Sequence, residues 1–408
     1  MEDATVESGA VERSLVLNRN FVLLWAGQFV SQLGDRLAMV AFPWLIYKST
    51  DSAFSTGAIL ALYTLPYVLF GTFAGVVIDR FNKRLVMMAA DVVRAALVVS
   101  VPIVAHRSLT AVYALSFLTA SATVFFDPCK LAILPDLVSP AKLIRANSVL
   151  ATGERLTDVV GYALAGFIAY YLSARAAFSA DAVTFVVSAV ALALMAYRPS
   201  RTDSRGFSTR GVGGEIREGL TFLWSHRGLA ANTVLVVTTA IGFGALYPLT
   251  FMYAATVVGG GARAFGLMES AIGLGYLVGA LAMAALADRV PKGLAMTVGI
   301  GVMGAGLAVI ASVSSLYVAL VPFFVVGLAN AAALISIDTY VQQTVPERLR
   351  GRVWGVRFTL TEGVYALSVL MGGALATRIP VQSLFLVCAV IVAAPAVVGM
   401  FIGSVRRA

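Results

Sequence analysis

The sequence predicts an all-α integral membrane protein in which twelve transmembrane helices form two pseudo-symmetric six-helix halves. Three observations support this fold class: the composition, the lengths of the apolar runs, and a repeat of the first half in the second. The 408 residues are 59% hydrophobic and only 12% charged, with a mean hydropathy of +0.88, whereas soluble domains carry about twice that charged fraction. Because one globular core cannot bury so many apolar residues, lipid must cover much of the surface.

Long apolar runs divide the chain into twelve candidate spans. The spans cover residues 21–47, 54–78, 85–104, 109–134, 146–172, 176–197, 229–257, 264–287, 294–312, 316–341, 353–377 and 382–404. Several exceed the ~20 residues that cross the hydrocarbon core, so we expect them to be tilted or kinked.

Hydrophilic segments between the spans set the domain boundaries. The predicted parts are a cytoplasmic N-terminal tail (1–20), an N-terminal six-helix half (21–197), a cytoplasmic linker (198–228), a C-terminal six-helix half (229–404) and a cytoplasmic C-terminal tail (405–408). The linker is rich in Gly, Ser and Arg, and a short amphipathic helix is expected from Glu215 onward.

The distribution of Lys and Arg predicts the orientation. Of the 30 Lys and Arg residues, twenty lie on the side of both termini, five lie in the opposite loops, and five lie within spans. By the positive-inside rule, this bias places both termini in the cytoplasm. We therefore expect a multi-pass protein of the cell inner (plasma) membrane. The net charge of +9 follows from this topology and requires no nucleic-acid partner.

Two short stretches recur in the second half. The stretch "DRFNK" at 79–83 returns as "DRVPK" at 288–292, and "SPAKLIRAN" at 139–147 returns loosely as "VPERLRGRV" at 345–353. Such a repeat indicates an internal duplication. Two facing halves of this kind enclose a central cavity, and rocking between them opens that cavity to either side.

The stretch "GVVIDRFNKR" resembles the loop motif of the major facilitator superfamily, with Gly75, Asp79, Arg80, Lys83 and Arg84 at the motif positions. The stretches "GDRLAMVAFPWLIY" (34–47), "FFDPCKLAILPDLV" (125–138) and "VPERLRGRVWGV" (345–356) are similar to the drug-efflux branch, which includes macrolide, tetracycline/aminoglycoside and enterobactin exporters. Two features differ from proton-coupled members of that branch. The fourth span contains Lys130 in place of an Arg, and the fifth span reads "GYALAG" (161–166) without a proline.

The resemblance implies a conformational latch at the cytoplasmic face. In the family, the motif Asp caps the start of the eleventh helix in the outward-open state, so Asp79 is expected to bind that helix start together with Arg352. A carboxylate at a helix N-terminus gains about 0.3–1 kcal/mol. Asp127 extends this latch, and Asp288 with Arg289 and Lys292 acts similarly on the fifth helix. For Arg80, Lys83 and Arg84, interfacial anchoring is an equally good interpretation.

Charged residues inside the spans are candidates for function, because charge at mid-membrane costs about 2.5 kcal/mol or more. Asp35 lies near the middle of the first span, and its neighbour Arg36 points about 100° away around the helix. Asp35 is expected to face the cavity and take up a proton or bind a cation. The alternative is a structural salt bridge to another span.

The fifth span contains a second group of charges, Glu154, Arg155 and Asp158. Because Glu154 and Asp158 are four residues apart, they share a helix face and repel unless one is protonated or a cation lies between them. A proton relay and a structural network with Lys130 or Arg94 both fit this pattern. Asp91 and Arg94, three residues apart, are expected to form a local ion pair.

The second half contains few charges, so its cavity wall is expected to be aromatic and polar. The candidate substrate-cavity residues are Tyr247, Phe251, Tyr276, Asn330, Arg357 and Glu362. Aromatic surfaces adapt to varied amphipathic ligands, although such residues also pack helices together.

These features together predict a proton-coupled exporter of amphipathic organic compounds. The expected partners are a small amphipathic substrate, protons and membrane lipid, and the protein is expected to act as a monomer without cofactor or metal. No phosphate-binding loop, metal cluster or nucleophile pattern in the sequence suggests an enzyme. A transporter of lysophospholipid or another lipid-like substrate is the main alternative, and a non-transporting membrane receptor is the second.

Overall fold

The computed structural model describes residues 18–139, 142–197, 209–286 and 290–401, and these residues form thirteen α-helices. The helices are α1 (Arg19–Thr50), α2 (Ala53–Arg80), α3 (Lys83–Val104), α4 (Leu109–Leu137), α5 (Leu143–Phe167), α6 (Ala174–Ala193), α7 (Thr209–Ser225), α8 (Arg227–Met252), α9 (Gly261–Leu286), α10 (Lys292–Ser312), α11 (Leu316–Thr344), α12 (Glu347–Leu375) and α13 (Val381–Phe401). Short π-helical segments, Ile168–Leu172 and Tyr253–Val257, extend α5 and α8.

Side-chain caps fix where several helices begin. The side chains of Asn18, Asn82 and Ser108 accept hydrogen bonds from backbone N–H groups in the first turns of α1, α3 and α4. Each cap satisfies a donor that has no partner within the helix. At the other end of α1, Asp51 adopts a left-handed conformation with φ of 48°, which stops the helix.

Nine helices in the described part are long and apolar enough to cross a membrane: α2, α3, α4, α6 and α8 to α12. The helices α1 and α5 are also long, at 32 and 25 residues, but they carry the charges identified above as candidates for function. The amphipathic helix α7 begins at Thr209, six residues before the predicted start at Glu215. The Gly-rich segment that precedes Glu215 is therefore also helical.

The long helices before and after α7 in the chain are called the first and second helix groups. Helices α1 to α6 form the first helix group, in which α1 packs on α5 and α6 while α3 packs on α4 and α6. Helices α8 to α13 form the second helix group, in which α11 packs on α9 and α10 while α8 packs on α12 and α13. Two seams join the groups, one between α2 and α12 and the other between α5 and α9.

The repeated basic stretches tie helix ends together in the same way in both groups. Lys83, at the start of α3, donates to Asp136 near the end of α4 at 3.0 Å. Lys292, at the start of α10, donates to Gln343 near the end of α11 at 2.7 Å. Arg84 also donates to backbone carbonyls of Leu192 and Ala193, which satisfies the C-terminal end of α6.

The helix groups touch at one end of the molecule and separate toward the other. At the closed end, a Cβ added to Gly57 of α2 would lie 2.7 Å from the Cα of Gly373 in α12. A Cβ added to Gly166 of α5 would lie 2.7 Å from the carbonyl oxygen of Ala262. Further along α2 from Gly57, a Cβ added to Gly71 would meet nothing within 4 Å. A Cβ added to Gly355 or Gly363 of α12 would also meet nothing within 4 Å. From these open positions we infer that α2 and α12 diverge toward an open end, where α7 packs on α12.

Candidate functional site

A cavity of about 320 Å³ lies between the two helix groups, and we call it the central cavity. Its walls come from both groups and combine charged, aromatic and apolar side chains. The lining residues are Met39, Arg155, Asp158, Tyr162, Phe243, Leu246, Tyr247, Glu269, Ile272, Gly273, Tyr276, Asn330, Leu334 and Tyr365. Such a mixture suits a ligand with an apolar body and a polar or charged group.

Asp158 is the centre of an ion network in the cavity wall. Its two carboxylate oxygens bind Arg36 of α1 at 2.7 Å and Arg155 of its own helix at 3.1 Å. Arg155 also lies over the ring of Tyr276 in the second helix group, 4.2 Å from the ring centroid. The network therefore links both helix groups across the cavity.

The residues of "GYALAG" give room for this network and for the closed end. A Cβ on Gly161 would lie 2.9 Å from the Cβ and Cγ of Arg36, so a larger residue would displace the arginine from Asp158. Gly166 lies at the seam with α9 described above. Close approach by two neighbouring helices thus explains the glycines at both ends of this stretch.

A second set of charges, which we call the buried charge cluster, lies within the first helix group. It consists of Asp35 of α1, Asp91 and Arg94 of α3, and Asp181 of α6. Arg94 is 1% exposed and bonds to Asp91, while its Nη1 lies 3.8 Å from Asp35 Oδ1. The rings of Phe126 and Phe185 lie 4.4 and 4.2 Å from the guanidinium. The expected local pair of Asp91 and Arg94 is thereby confirmed.

The structure corrects the expected location of Asp35. Its side chain faces Arg94 inside the first helix group and is absent from the set that lines the central cavity. Arg36, on the other side of the same helix, is the one that reaches the cavity wall through Asp158. The expected divergence of these two neighbours is confirmed, and the salt bridge to another span is the interpretation of Asp35 that the contacts match.

The expected partners of the fifth-span charges are also corrected. Asp158 binds Arg36 and Arg155 rather than Lys130 or Arg94, because α5 packs against α1 while those two cations lie on α4 and α3. Lys130 instead binds Asp127 on its own helix at 3.4 Å. Glu154 lies one turn before Asp158 and within electrostatic range of Arg36.

Three of the six predicted substrate-cavity residues line the central cavity: Tyr247, Tyr276 and Asn330. Phe251 does not, because it is fully buried against Trp44, Tyr47 and Phe265 at the closed end.

Arg357 and Glu362 also lie outside the lining. The side chain of Arg357 is held within the second helix group, where it donates to Asn232 Oδ1 at 2.7 Å. Glu362 is half-buried further along the same helix, α12.

The proposed latch residues lie near the open end. Arg352 of α12 bonds to Glu218 of α7, and Arg348 lies 3.7 Å from the same carboxylate. Asp127 accepts a hydrogen bond from Tyr67 at 3.2 Å. The structure describes only the backbone of Gly75, Asp79 and Arg80. Asp288 and Arg289 lie outside the described part of the chain. The pairing of Asp79 with Arg352 therefore remains a prediction.

Two acidic residues were missed as sites. Asp181 lies in the buried charge cluster, and Glu269 lines the central cavity. The rule that singled out Asp35, that an acid inside an apolar span is costly, applies equally to Asp181 in "FSADAVTF". Glu269 lies near the start of the predicted span 264–287, and its location at the cavity depends on how α9 packs against α5.

Comparison with known proteins identifies the family. The model of the Major Facilitator Superfamily matches residues 24–368 and 233–407. The chain is 29% identical over 399 residues to the multidrug efflux pump Tap of Mycobacterium tuberculosis (strain ATCC 25618 / H37Rv), covering 95% of this chain and 94% of that one. It is 24% identical over 397 residues to macrolide efflux protein A of Streptococcus pyogenes, covering 95% and 96%.

The fold is similar to that of a transporter of known structure. The crystal structure of the nucleoside transporter NupG superposes with a TM-score of 0.75 and 14% identity, covering 94% of this chain and 98% of that chain. The matched family and the named relatives are transporters rather than enzymes, and the apolar helices make this a multi-pass membrane protein. The chain belongs to the major facilitator superfamily, as its loop motif and its drug-efflux-like stretches predict.

Proposed function

We propose that this protein is a secondary active transporter that exports amphipathic organic compounds by proton-coupled alternating access. The observation that carries the proposal is the central cavity, which joins Arg155, Asp158 and Glu269 with several aromatic rings between two helix groups. The printed names of the relatives, a multidrug efflux pump and a macrolide efflux protein, support drug-like substrates.

The proposal includes the topology. Helices α1 to α6 and α8 to α13 are the twelve spans of two six-helix halves, with residues 198–228 as the cytoplasmic linker. Both termini are cytoplasmic in the plasma membrane, so the open end faces the cytoplasm. The monomeric state expected from the sequence is part of the proposal.

The transport cycle follows from the two ends of the molecule. Substrate enters the cavity from the cytoplasm while α2 and α12 are apart at the open end. Closing that end and separating Gly57 from Gly373 then releases the substrate outside. Energy comes from protons that bind in the first helix group, with Asp35 as the leading candidate and Glu154, Arg155, Asp158 and Arg36 as the charged wall that senses the substrate.

Latching of the cytoplasmic end is a further part of the proposal. Asp79 caps α12 and meets Arg352 when that end closes, with Gly75, Arg80, Lys83, Arg84 and Asp127 around it and Asp288, Arg289 and Lys292 in the equivalent place. The ties from Lys83 and Lys292 to neighbouring helix ends support a rigid base for such a latch.

The ion network disfavours lipid substrates. An anionic headgroup needs free cations, but Arg36 and Arg155 are both bound to Asp158. A cationic amphiphile instead meets Glu269 and the ring faces of Tyr276 and Tyr365, which bind cations and apolar groups alike.

Transport by purified protein in liposomes tests the proposal. With an imposed pH gradient, we expect accumulation of a fluorescent lipophilic cation that stops when an ionophore removes the gradient. Liposomes without protein control for leak. Transport of lysolipid alone, or uptake of the cation that ignores the gradient, would contradict the proposal.

Binding to a cavity variant separates the two substrate classes. In Arg155→Gln we expect the fluorescent cation to bind as well as in the wild type or better, because a like charge has been removed from a cavity of low dielectric. If lysolipid binds the wild type but no longer binds this variant, while the cation still binds, the lipid class would be favoured.

A further inference from the structure

The buried charge cluster contains more negative charge than its arginine can neutralise. Three carboxylates, from Asp35, Asp91 and Asp181, surround the single guanidinium of Arg94. Asp91 and Asp181 are fully buried, and the side chain of Asp35 is 18% exposed. If all three acids were ionised, the cluster would carry two uncompensated negative charges within the membrane-spanning part of the protein.

Arg94 is already committed to the other two acids. It bonds to Asp91 and lies 3.8 Å from Asp35, while Phe126 and Phe185 lie against the guanidinium. Among the residues that the structure describes, no cation lies within 4.0 Å of the Asp181 carboxylate, and its Oδ2 has no hydrogen-bond partner.

Asp181 reaches the cluster because α1 has a glycine beside it. A Cβ on Gly34 would lie 2.4 Å from Asp181 Oδ1 and 2.0 Å from Thr184 Oγ1. The hydroxyl of Thr184 is 3.5 Å from Asp181 Oδ1. The carboxyl group therefore lies directly against the backbone of α1, one residue from Asp35.

From these contacts, and resting on the proton coupling proposed above, we propose that Asp181 is a second proton-binding group of the transport cycle. An ionised carboxylate without a cationic partner costs far more in a buried site than its neutral form does. Asp181 is thus the protonated acid in the state observed. Its carboxylate takes a proton from the outer aqueous phase in the outward-open state and returns it to the cytoplasm after the inner end opens.

The charged and titratable groups that face Asp181 fit this role. They are Asp35 on α1, Tyr63 on α2 and Arg94 on α3. Because Asp91 holds Arg94 closely, Asp35 and Asp181 compete for its remaining charge. Protonation of one acid then frees Arg94 to stabilise the ionised form of the other, which couples their two protons.

Two tyrosines form a row along α2 beside the cluster. Tyr63 and Tyr67 are four residues apart and share a face of α2. Tyr63 lies within electrostatic range of Asp35, and Tyr67 donates to Asp127, whose side chain is 41% exposed. This row is a route by which protons leave the cluster.

The number of protons exchanged per substrate tests the inference. In liposomes whose membrane potential is clamped at zero with potassium and valinomycin, the pH gradient at which net flux reverses against a known substrate gradient gives this ratio. We expect two protons per substrate in the wild type and one in Asp181→Asn, while substrate binding is retained. The matched control is Asp51→Asn, because Asn also adopts the left-handed conformation found at that exposed position, and this variant should keep the ratio at two.

An unchanged ratio and unchanged pH profile in folded Asp181→Asn would overturn the inference, because a merely structural acid gives that result. Dependence of the wild-type ratio on a sodium gradient would overturn it as well. A wild type that ignores the pH gradient would instead refute the proposed function.

Labelling of the wild type covers the case in which Asp181→Asn does not fold. Dicyclohexylcarbodiimide, an apolar reagent, modifies protonated carboxyl groups in membrane proteins, and mass spectrometry locates the product. We expect modification of Asp181 that substrate reduces. Modification of Asp35 with none at Asp181 would contradict the inference.

Discussion

The charged residues inside the first helix group form two sets with different proposed roles. Arg155 and Asp158 line the central cavity and Arg36 binds Asp158, whereas Asp35 and Arg94 belong to the buried charge cluster. The two sets lie on opposite sides of α1. A single helix therefore places the proposed substrate wall next to the acids proposed to bind protons, which is the arrangement that coupling between them requires.

Neutralising Asp35 should stop transport without unfolding the protein. Arg94 keeps its close partner Asp91 in Asp35→Asn, so no buried charge is left unpaired. We expect gradient-driven uptake into liposomes to fall to background and the thermal unfolding midpoint to stay near that of the wild type. Wild-type rates in this variant would contradict the role of Asp35 and make Glu154 the leading candidate.

The matched variant Asp91→Asn should behave in the opposite way. It removes the close partner of a fully buried arginine, and breaking such a pair costs about 3–5 kcal/mol. We expect a clearly lower free energy of unfolding, measured by chemical denaturation in detergent. Equal stability of the two variants would show that Arg94 depends on Asp35 as much as on Asp91.

At the scale of helices, the sequence predicted contacts within one helix better than contacts between helices. The pair of Asp91 and Arg94 follows from a spacing of three residues. The pair of Arg36 and Asp158 does not, because it depends on how closely α1 approaches α5 at Gly161. Phe251 was placed in the cavity for the same reason, since periodicity cannot tell which end of the molecule is closed.

The seam between α2 and α12 should control opening of the closed end. A Cβ on Gly57 would lie 2.7 Å from Gly373, whereas a Cβ on Gly301 would lie 3.9 Å from its nearest neighbour, the Cβ of Ala396. Both changes to Ala gain a similar helix propensity of about 1 kcal/mol. We expect only Gly57→Ala to favour separation of the closed end.

Spin labels measure this effect. Labels on Phe54→Cys and Ile379→Cys lie at exposed positions near the closed end. Gly57→Ala should shift their distance distribution to longer values, while Gly301→Ala should leave it unchanged. A distribution that both variants leave unchanged would argue against a tight seam.

The latch makes a separate prediction for the open end. Asp79→Ala should slow transport strongly with little change in substrate affinity, because the residue lies in the last turn of α2 and away from the cavity. Arg352→Ala should slow it equally if the two side chains meet. In the double mutant, a loss no greater than in either single mutant would support their coupling, and fully additive losses would count against it.

Removing the charge of Glu218 should have a weaker effect on the open end than the latch mutations, and in the opposite direction. It holds Arg352 in the state observed, but both side chains are partly exposed, so the pair contributes about 0.2–1 kcal/mol. Glu218→Gln should therefore raise the population with a closed inner end by about fivefold at most. Spin labels across that end check the shift, and a decrease in this population would contradict an exchange of partners by Arg352.

For the whole molecule, composition and apolar run lengths were sufficient to predict a multi-pass helical membrane protein, and the resemblance of the loop motif at residues 75–84 pointed to this superfamily. Composition is a property of the whole chain, so this prediction does not depend on the exact bounds of the individual helices. The cavity needed the structure, because Glu269, Tyr162 and Tyr365 converge only when α5, α9 and α12 are packed. The repeat between halves was visible in sequence at Lys83 and Lys292, whose side chains tie equivalent helix ends.

The central claim is that substrate in the cavity and protons on the first helix group oppose each other's binding. Linkage requires that each weakens the other by the same factor. The most direct measurement is proton release when a lipophilic cation is added to purified protein in weakly buffered detergent, followed with a pH-sensitive dye. We predict release that saturates with substrate and is reduced in Asp35→Asn. Substrate binding that releases no protons, with an affinity independent of pH, would contradict the account.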